Sequence, residues 1–502
     1  MPLPSLIEIV PLTVPAHAEI TVPGSKSITN RALVLAALAQ GEVRLEGALW
    51  SEDTQVMVEC LRELGFMVNV EPDAQEIGNR TITAYGRGGV VPRGGTEEQP
   101  LELFVGNAGT AARFLTAMLC LGSGVYRLQG VPRMHERPQA ALFDALRQRG
   151  YRIDSPNDKL PALIHGGGRR PGDCQIRIEE SSQFASALLL CAGIGGWAVE
   201  VLGENAEESP YVFMTIELIK AFPTNGGTFQ IEPDASSASY FLGAAHWMIE
   251  SSPSDGFSGG GPGSSLSYTR NPTVHIARAP RSGWQIDANF SDEFANLIHI
   301  SPHFEYVPEG ASESFRRRFN SFVEECRNRS LDQAPVVISR GPGLAPGVIP
   351  AAEAPRKYLN QYFRLGDSIM TAITLAPLAI RPARFVHLAR LRLQECDRVL
   401  ALRTELAKCG ARVIETGDTL EVFPSELHGA EIETYDDHRM AMCFAILGLK
   451  VPGIRLKNPA CVKKTFPNFF QKLAAPPPHG LGAKILHGAT RRTLSHENLF
   501  AD

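Results

Sequence analysis

Lys26 and Arg31 stand at the front of an apolar segment, VPGSKSITNRALVLAAL, where hydroxyls and amides cluster. Two cations in the first turn of a helix oppose its dipole, which already concentrates positive charge at the N-terminus. Capping by Ser27 or Thr29, with Gly41 as the stop, accounts for the hydroxyls. It leaves the cations unexplained. Gly24, Ser25 and Ser27 with Lys26 and Arg31 form a bed suited to a phosphate or a carboxylate.

The same arrangement recurs along the chain. VGNAGTAARFL carries Asn107, Gly109, Thr110 and Arg113 in a glycine-rich turn that feeds a helix, and VPRMHERPQA brings Arg133, His135, Glu136 and Arg137 together. EESSQFASALLL and EPDASSASYFLGAA set Ser181, Ser182, Gln183, Asp234, Ser236 and Ser237 at helix starts. RLGDSIMTAITLA places Asp367 where an N-cap belongs, and LRLQECDRVLALRTEL packs Glu395, Asp397 and Arg398 into another start. YDDHRMAMCFAIL and ACVKKTFPNFF add Asp436, Asp437, His438, Arg439, Lys463 and Lys464. Capping explains each stretch taken singly. Together, Lys26, Arg31, Arg133, Arg398, Arg439 and Lys464 describe a holder for a multiply anionic small ligand, with Asp367 and Glu395 as proton handlers. No HExxH, histidine cluster or paired cysteine suggests a metal, and neither GxGxxG nor a Walker A is present, so no cofactor is expected. Without a GxSxG nucleophile, His438 reads as a structural histidine.

The elements that must position these residues show a repeat. LRELGFMV, LRQRGYRI and LAKCGARV each read as the end of an amphipathic helix, a glycine, then a strand. Helix–Gly–strand at wide spacing implies duplicated α/β units, an α/β (α+β) fold class. The stretch from about Ser251 to Arg364 breaks that rhythm with two loop-like compositions. Between them, SESFRRRFNSFVEECRNRS reads as a helix carrying Phe315, Phe319, Phe322, Val323 and Cys326 on one side, with Arg316 to Arg318 solvated. The tail after Pro478 has no clear period.

At 502 residues the chain calls for two or more domains. A net charge of -5 argues against nucleic acid and anionic membranes as partners, so an anion site must be built locally. No apolar run approaches the roughly 20 residues that span a bilayer, and the N-terminus has no secretory pattern. The nine cysteines follow no spacing, and Cys120, Cys191 and Cys443 sit in apolar settings, as reduced core residues do. A cytoplasmic monomer is the expectation.

Nine stretches, in order, resemble the 5-enolpyruvylshikimate-3-phosphate synthase (3-phosphoshikimate 1-carboxyvinyltransferase) family: PGSKSITNRAL, GNAGTAARFLTA, PRMHERP, SSQFASALLL, EPDASSASYF, GDSIMTAI, QECDRV, DDHRMAM and KKTFPNFF. The resemblance covers most of residues 10 to 250 and 362 to 475. It implies a two-domain inside-out barrel of repeated βαβαββ units with the active site in the interdomain cleft. Residues 1–23 and 246–502 would form a discontinuous first domain, with an insertion at about 251–360 longer than the family needs. Residues 24–245 would form the second. The implied reaction moves the enolpyruvyl group of phosphoenolpyruvate to the 5-hydroxyl of shikimate 3-phosphate and releases phosphate. By motif position, Lys26, Gly109, Arg133, Gln183, Arg398, Arg439 and Lys464 would hold phosphoenolpyruvate. Lys26, Ser27, Arg31, Ser181, Ser182, Gln183 and Asp367 would hold shikimate 3-phosphate. Asp367 would be the base for the attacking hydroxyl, and Glu395 with Lys26 would handle the proton at the methylene carbon.

The departures all fall on the acceptor side. Gln394 stands where the family has a lysine, Arg390 where it has an asparagine, and Glu208, with Ser209 next to it, where it has a serine. Arg390 and Gln394, four apart on one helix face, suggest a relocated charge, with Arg390 as the acceptor contact. A related enolpyruvyl transferase with another hydroxylated acceptor and an inactive binding scaffold are the alternatives. The UDP-N-acetylglucosamine branch is disfavoured because GVPRMHERP lacks that branch's loop cysteine.

Overall fold

The computed structural model describes residues 3–13, 17–202, 209–249, 273–298, 336–340, 363–379 and 382–501. The expected Gly/Ser-rich loop, the Phe315–Cys326 helix and Glu208 lie outside the described residues.

The three helix–Gly–strand segments fold alike. Helices Glu52–Glu63, Ala140–Gln148 and Arg398–Lys408 are followed by strands Met67–Pro72, Arg152–Asp154 and Val413–Thr416. Between them Gly65, Gly150 and Gly410 take φ of 87°, 84° and 88°, where a side chain would be strained. That turn lets Phe66, Tyr151 and Ala411 donate N–H bonds back to the carbonyls of Leu61, Leu146 and Leu406, at 3.0, 3.2 and 3.0 Å. The same residues bury their side chains against the helix they leave.

Strand, helix, strand, helix, strand, strand is the order from Leu101–Phe104 to Ala162–His165, with the short helix Pro132–Glu136 added before Ala140–Gln148, and the same order, 3-10 turns aside, runs from Phe363–Leu365 to Thr419–Val422. In the first copy Leu101–Phe104 runs parallel to Val125–Gln129, which pairs antiparallel with Ala162–His165. In the second, strand Val336–Arg340 lies between Phe363–Leu365 and Ala383–Val386, parallel to both. A further sheet joins Gly227–Gln230 to the distant Gln40–Leu49, so chain ends of this half are tied by a parallel pairing.

Two apolar clusters form. One gathers residues from Ile28 to Ile231; the other gathers Leu3 to Val22 with Ala238 to Ala501. The change of cluster therefore falls between Val22 and Ile28, and again between Ile231 and Ala238, upstream of Ala245. There the two passing strands lie together: Ser25 N donates to the Glu232 carbonyl at 2.8 Å, and Asp234 N to that of Pro23 at 2.9 Å. This contact orders the chain up to Ser25. The first long helix consequently starts at Lys26, with Ser25 in the N-cap position, instead of at Ser27 or Thr29. It ends at Leu38, and Gly41 belongs to the next strand. Thr29 is occupied elsewhere, accepting from Leu49 N at 3.2 Å.

Helices Gly109–Cys120 and His438–Gly448 are buried along their whole length. Fully buried helices must be apolar all round, which leaves their ends as the places where polar groups emerge. The N-terminal ends are the ones that meet.

Candidate active site

The cleft where they meet has an internal volume of about 90 Å³ and opens to solvent. One wall comes from the starts of Lys26–Leu38, Gly109–Cys120 and Ser182–Gly195, which present Lys26, Ser27, Arg31, Gly109, Thr110, Arg113, Ser181, Ser182 and Gln183, joined by Asp53, Arg137 and Tyr211. The facing wall carries Asp367, Arg390, Gln394, Glu395, Arg398, His438 and Arg439. No acidic residue occupies the first turn of those three helices, so their dipoles add positive potential to the cleft.

Acids and cations interlock here. Arg398 holds Asp437 at 2.7 Å and Glu395 at 2.8 Å, and lies 3.8 Å from Asp367. Arg439 Nη2 binds Asp367 at 3.0 Å, and its Nη1 donates to the Tyr240 hydroxyl at 3.2 Å. Burial works against the charge of Arg398, but Asp437, Glu395 and Asp367 outweigh it and raise the guanidinium above its ordinary range. For Glu395, burial would favour the neutral acid. Arg398, Lys464, Arg137 and Lys26 reverse that and hold the carboxyl well below the usual carboxylate range. His438 is driven the other way, well below an ordinary imidazole, by burial and then by Arg439 and Lys26. It is neutral. Burial brings Arg31 down to about 10, still charged at neutral pH, with its Nε on Thr215 at 2.7 Å and its Nη2 on Ser186 at 3.0 Å.

Of the residues given substrate or proton-handling roles from the sequence, all but two line this cleft. Lys464 lies just behind the wall, 3.4 Å from Glu395 and 3.9 Å from Asp53, donating to the Asn107 carbonyl at 3.2 Å. Arg133 is not on the wall. It pairs with Glu136 at 2.7 Å near the surface and donates to the Gln394 carbonyl at 3.0 Å. The short helix Pro132–Glu136 ends one residue before Arg137, whose extended backbone turns its side chain inward. Arg137 is buried beside Gly109: a Cβ there would stand 2.7 Å from Arg137 Nη2 and 2.6 Å from Arg113 Nη1. Glycine is what lets two guanidinium groups approach one backbone.

Arg390 and Gln394 do not share a helix face. A 3-10 turn, Ala389–Leu393, carries Arg390, while Gln394 is non-helical and the α-helix begins only at Arg398. The break follows from Asp397, which caps that helix by accepting from Leu400 N. Arg390 still lines the cleft, donating to the carbonyls of Glu179 and Ile178, both at 3.2 Å. Gln394 Oε1 accepts from Arg398 Nη1. Asp367 is likewise no cap: Ser368 holds that position for Ile369–Leu375, leaving the carboxylate to Arg439.

Sequence reasoning missed Asp53, 3.0 Å from Lys26 and placed in the first turn of Glu52–Glu63 as an ordinary helix-start acid. Its type and position carried no signal beyond capping. Arg113 and Arg137 stood inside the quoted motifs, and His438, read as a structural histidine, lines the cleft.

The family model for EPSP synthase (3-phosphoshikimate 1-carboxyvinyltransferase) matches residues 12–249 and 362–473. The chain belongs to the EPSP synthase family. A 3-phosphoshikimate 1-carboxyvinyltransferase from Opitutus terrae is 35% identical over 506 residues, spanning 94% of this chain and 98% of that protein. One from Bordetella pertussis is 37% identical over 491 residues, spanning 91% and 95%. The solved EPSP synthase of Acinetobacter baumannii shares the fold, with a TM-score of 0.58 at 20% identity, covering 96% of this chain and 99% of that one. Arg390 and Gln394 fall inside the second EPSP synthase match; the residues between 249 and 362 fall outside both.

Proposed function

We propose that this chain catalyses the reaction that describes its family: transfer of the enolpyruvyl group of phosphoenolpyruvate to the 5-hydroxyl of shikimate 3-phosphate, releasing phosphate, within the shikimate route to aromatic amino acids. The observation that carries the reading is the charge balance of the cleft. Seven cationic and four carboxylate side chains line it, an excess that suits two substrates bearing phosphate and carboxylate groups.

In this reading Arg398 and Arg439 clamp the phosphoenolpyruvate carboxylate, while Lys464, Arg137 and the backbone at Gly109 receive its phosphate. Gln183 and Lys26 reach both substrates. Ser27, Arg31, Ser181, Ser182 and Arg390 hold shikimate 3-phosphate. Asp367 takes the proton of the 5-hydroxyl as that oxygen attacks C2 of phosphoenolpyruvate. Lys26, steadied by Asp53, gives a proton to the methylene carbon, and a tetrahedral adduct results. Glu395, ionised in its cationic surroundings, then removes a proton from the new methyl group as phosphate leaves. Closing the two halves excludes water and strengthens each of these contacts. We place the crossings between halves near Pro23 and near Pro233, so residues 1–23 join the C-terminal part. One chain supplies the whole cleft, so a monomer suffices.

Phosphate release from phosphoenolpyruvate, measured with shikimate 3-phosphate, with shikimate and with no acceptor, tests the proposal. Release is expected with shikimate 3-phosphate alone, together with the enolpyruvyl product by mass. Release with a different cyclic alcohol and none with shikimate 3-phosphate overturns the acceptor.

A further inference from the structure

Asp287 lies in the stretch that the family match leaves out, yet it grips the loop that carries Asp367. It sits in the 3-10 turn Ile286–Asn289, which leads into the helix Phe290–Ile298. Phe290 and Phe294 anchor that helix in the core, stacked 5.0 Å apart. Gln285 ties the turn to the crossing strand, accepting from Ala235 N at 3.0 Å and donating to the Pro233 carbonyl at 2.9 Å. The turn is therefore a fixed point.

From it the buried Asp287 carboxylate receives four hydrogen bonds. Oδ1 accepts from Gly366 N at 2.7 Å, from Ser368 N at 3.2 Å and from Ser368 Oγ at 2.5 Å; Oδ2 accepts from Ser236 Oγ. Three of the four come from the residues on either side of Asp367. Gly366 has to lack a side chain, because a Cβ there would stand 2.9 Å from Asp287 Oδ1 and 2.8 Å from Ile286 Cγ2. A buried carboxylate saturated by donors is a stiff clamp, since each bond is charge-assisted.

We infer that Asp287 is a positioning residue for the reaction: it fixes the backbone around Asp367 so that this carboxylate meets the reacting hydroxyl. The inference rests on the proposed role of Asp367 as base. Asp287 makes none of the contacts assigned to phosphoenolpyruvate, so its effect belongs in kcat and not in affinity for that substrate. Misplacing a catalytic group by about 1 Å costs on the order of 10²-fold in rate.

The test uses the full chain and two readouts, steady-state kinetics and amide hydrogen exchange at Gly366 and Ser368. Asp287→Ala should lower kcat by roughly 10²-fold, leave KM for phosphoenolpyruvate within about threefold, and speed exchange at both amides at least about tenfold. Asp287→Asn should fall between, because an amide oxygen keeps the loop donors but loses the charge. If Asp287→Ala does not fold, Ser368→Ala, which removes the 2.5 Å bond, carries the same readings with a smaller drop. Unchanged exchange in a folded variant overturns the inference, as does faster exchange with kcat within about threefold of the unmodified chain. If the unmodified chain releases no phosphate from the two substrates, the functional reading has failed. The exchange arm then decides by itself whether Asp287 holds the loop.

Discussion

Arg439 Nη2 lies 3.0 Å from the carboxylate of Asp367, 72 residues earlier in the chain, and joins the starts of two buried helices. One guanidinium thus both orients the proposed base and faces the cleft. Asp367→Asn keeps the shape and removes the proton acceptor. It should cut kcat by about 10²-fold or more with KM for either substrate changed little. Arg439→Lys loses the planar fork and should instead raise KM for phosphoenolpyruvate, by roughly tenfold. Steady-state kinetics with each substrate varied in turn separates the two; equal effects of both variants on kcat alone would remove Arg439 from the carboxylate clamp.

Arg133 and Arg137 make the sharpest contrast between sequence position and place. Arg137→Ala should lower kcat/KM for phosphoenolpyruvate by about 10²-fold, since it empties a buried charge site beside Gly109. Arg133→Ala removes a half-exposed pair with Glu136 and should change kcat/KM by less than about tenfold. The reverse order would return the phosphate contact to Arg133.

His438 gives a pH signature. Its folded pKa lies well below that of a free imidazole, by burial and then by Arg439 and Lys26. The unfolded chain therefore takes up a proton near pH 6.5 that the folded chain refuses. Stability supplied by the neutral ring is intact above about pH 6.5 and declines as pH falls below it. Denaturant midpoints between pH 8 and pH 5 should show this decline in the unmodified chain and a shallower one in His438→Gln. Parallel curves would place the proton uptake elsewhere.

Arg390→Asn should raise KM for shikimate 3-phosphate by about tenfold and leave that for phosphoenolpyruvate within about threefold. Adding Gln394→Lys should not restore it, because the Gln394 side chain accepts from Arg398 and a lysine there would oppose a second cation. Full rescue by that double variant would mean that position 394 can turn into the acceptor side.

The presence of the apolar helices and the three left-handed glycines was legible in the sequence, because each depends on neighbours a few residues away, whereas the starts at Lys26, Ile369 and Arg398 were not. Gly65, Gly150 and Gly410 announce their turns by type and spacing alone. The set of cations at helix fronts was legible for the same reason: a positive residue in a first turn conflicts with the local dipole, whatever the fold. Family motifs then supplied order and chemistry for most of the cleft. What tertiary structure alone decided was which side chain of a motif faces inward. Arg133 and Arg137 differ by where a five-residue helix stops, and Arg390 and Gln394 by a 3-10 turn that Asp397 terminates. Asp53 and Asp287 stayed invisible because a lone aspartate in a first turn or a loop carries no local mark of a partner. Their partners, Lys26 and the Gly366–Ser368 backbone, lie 27 and about 80 residues away and are brought close only by the fold. A carboxylate buried among donors from distant segments is a property of packing, and no window of sequence contains it.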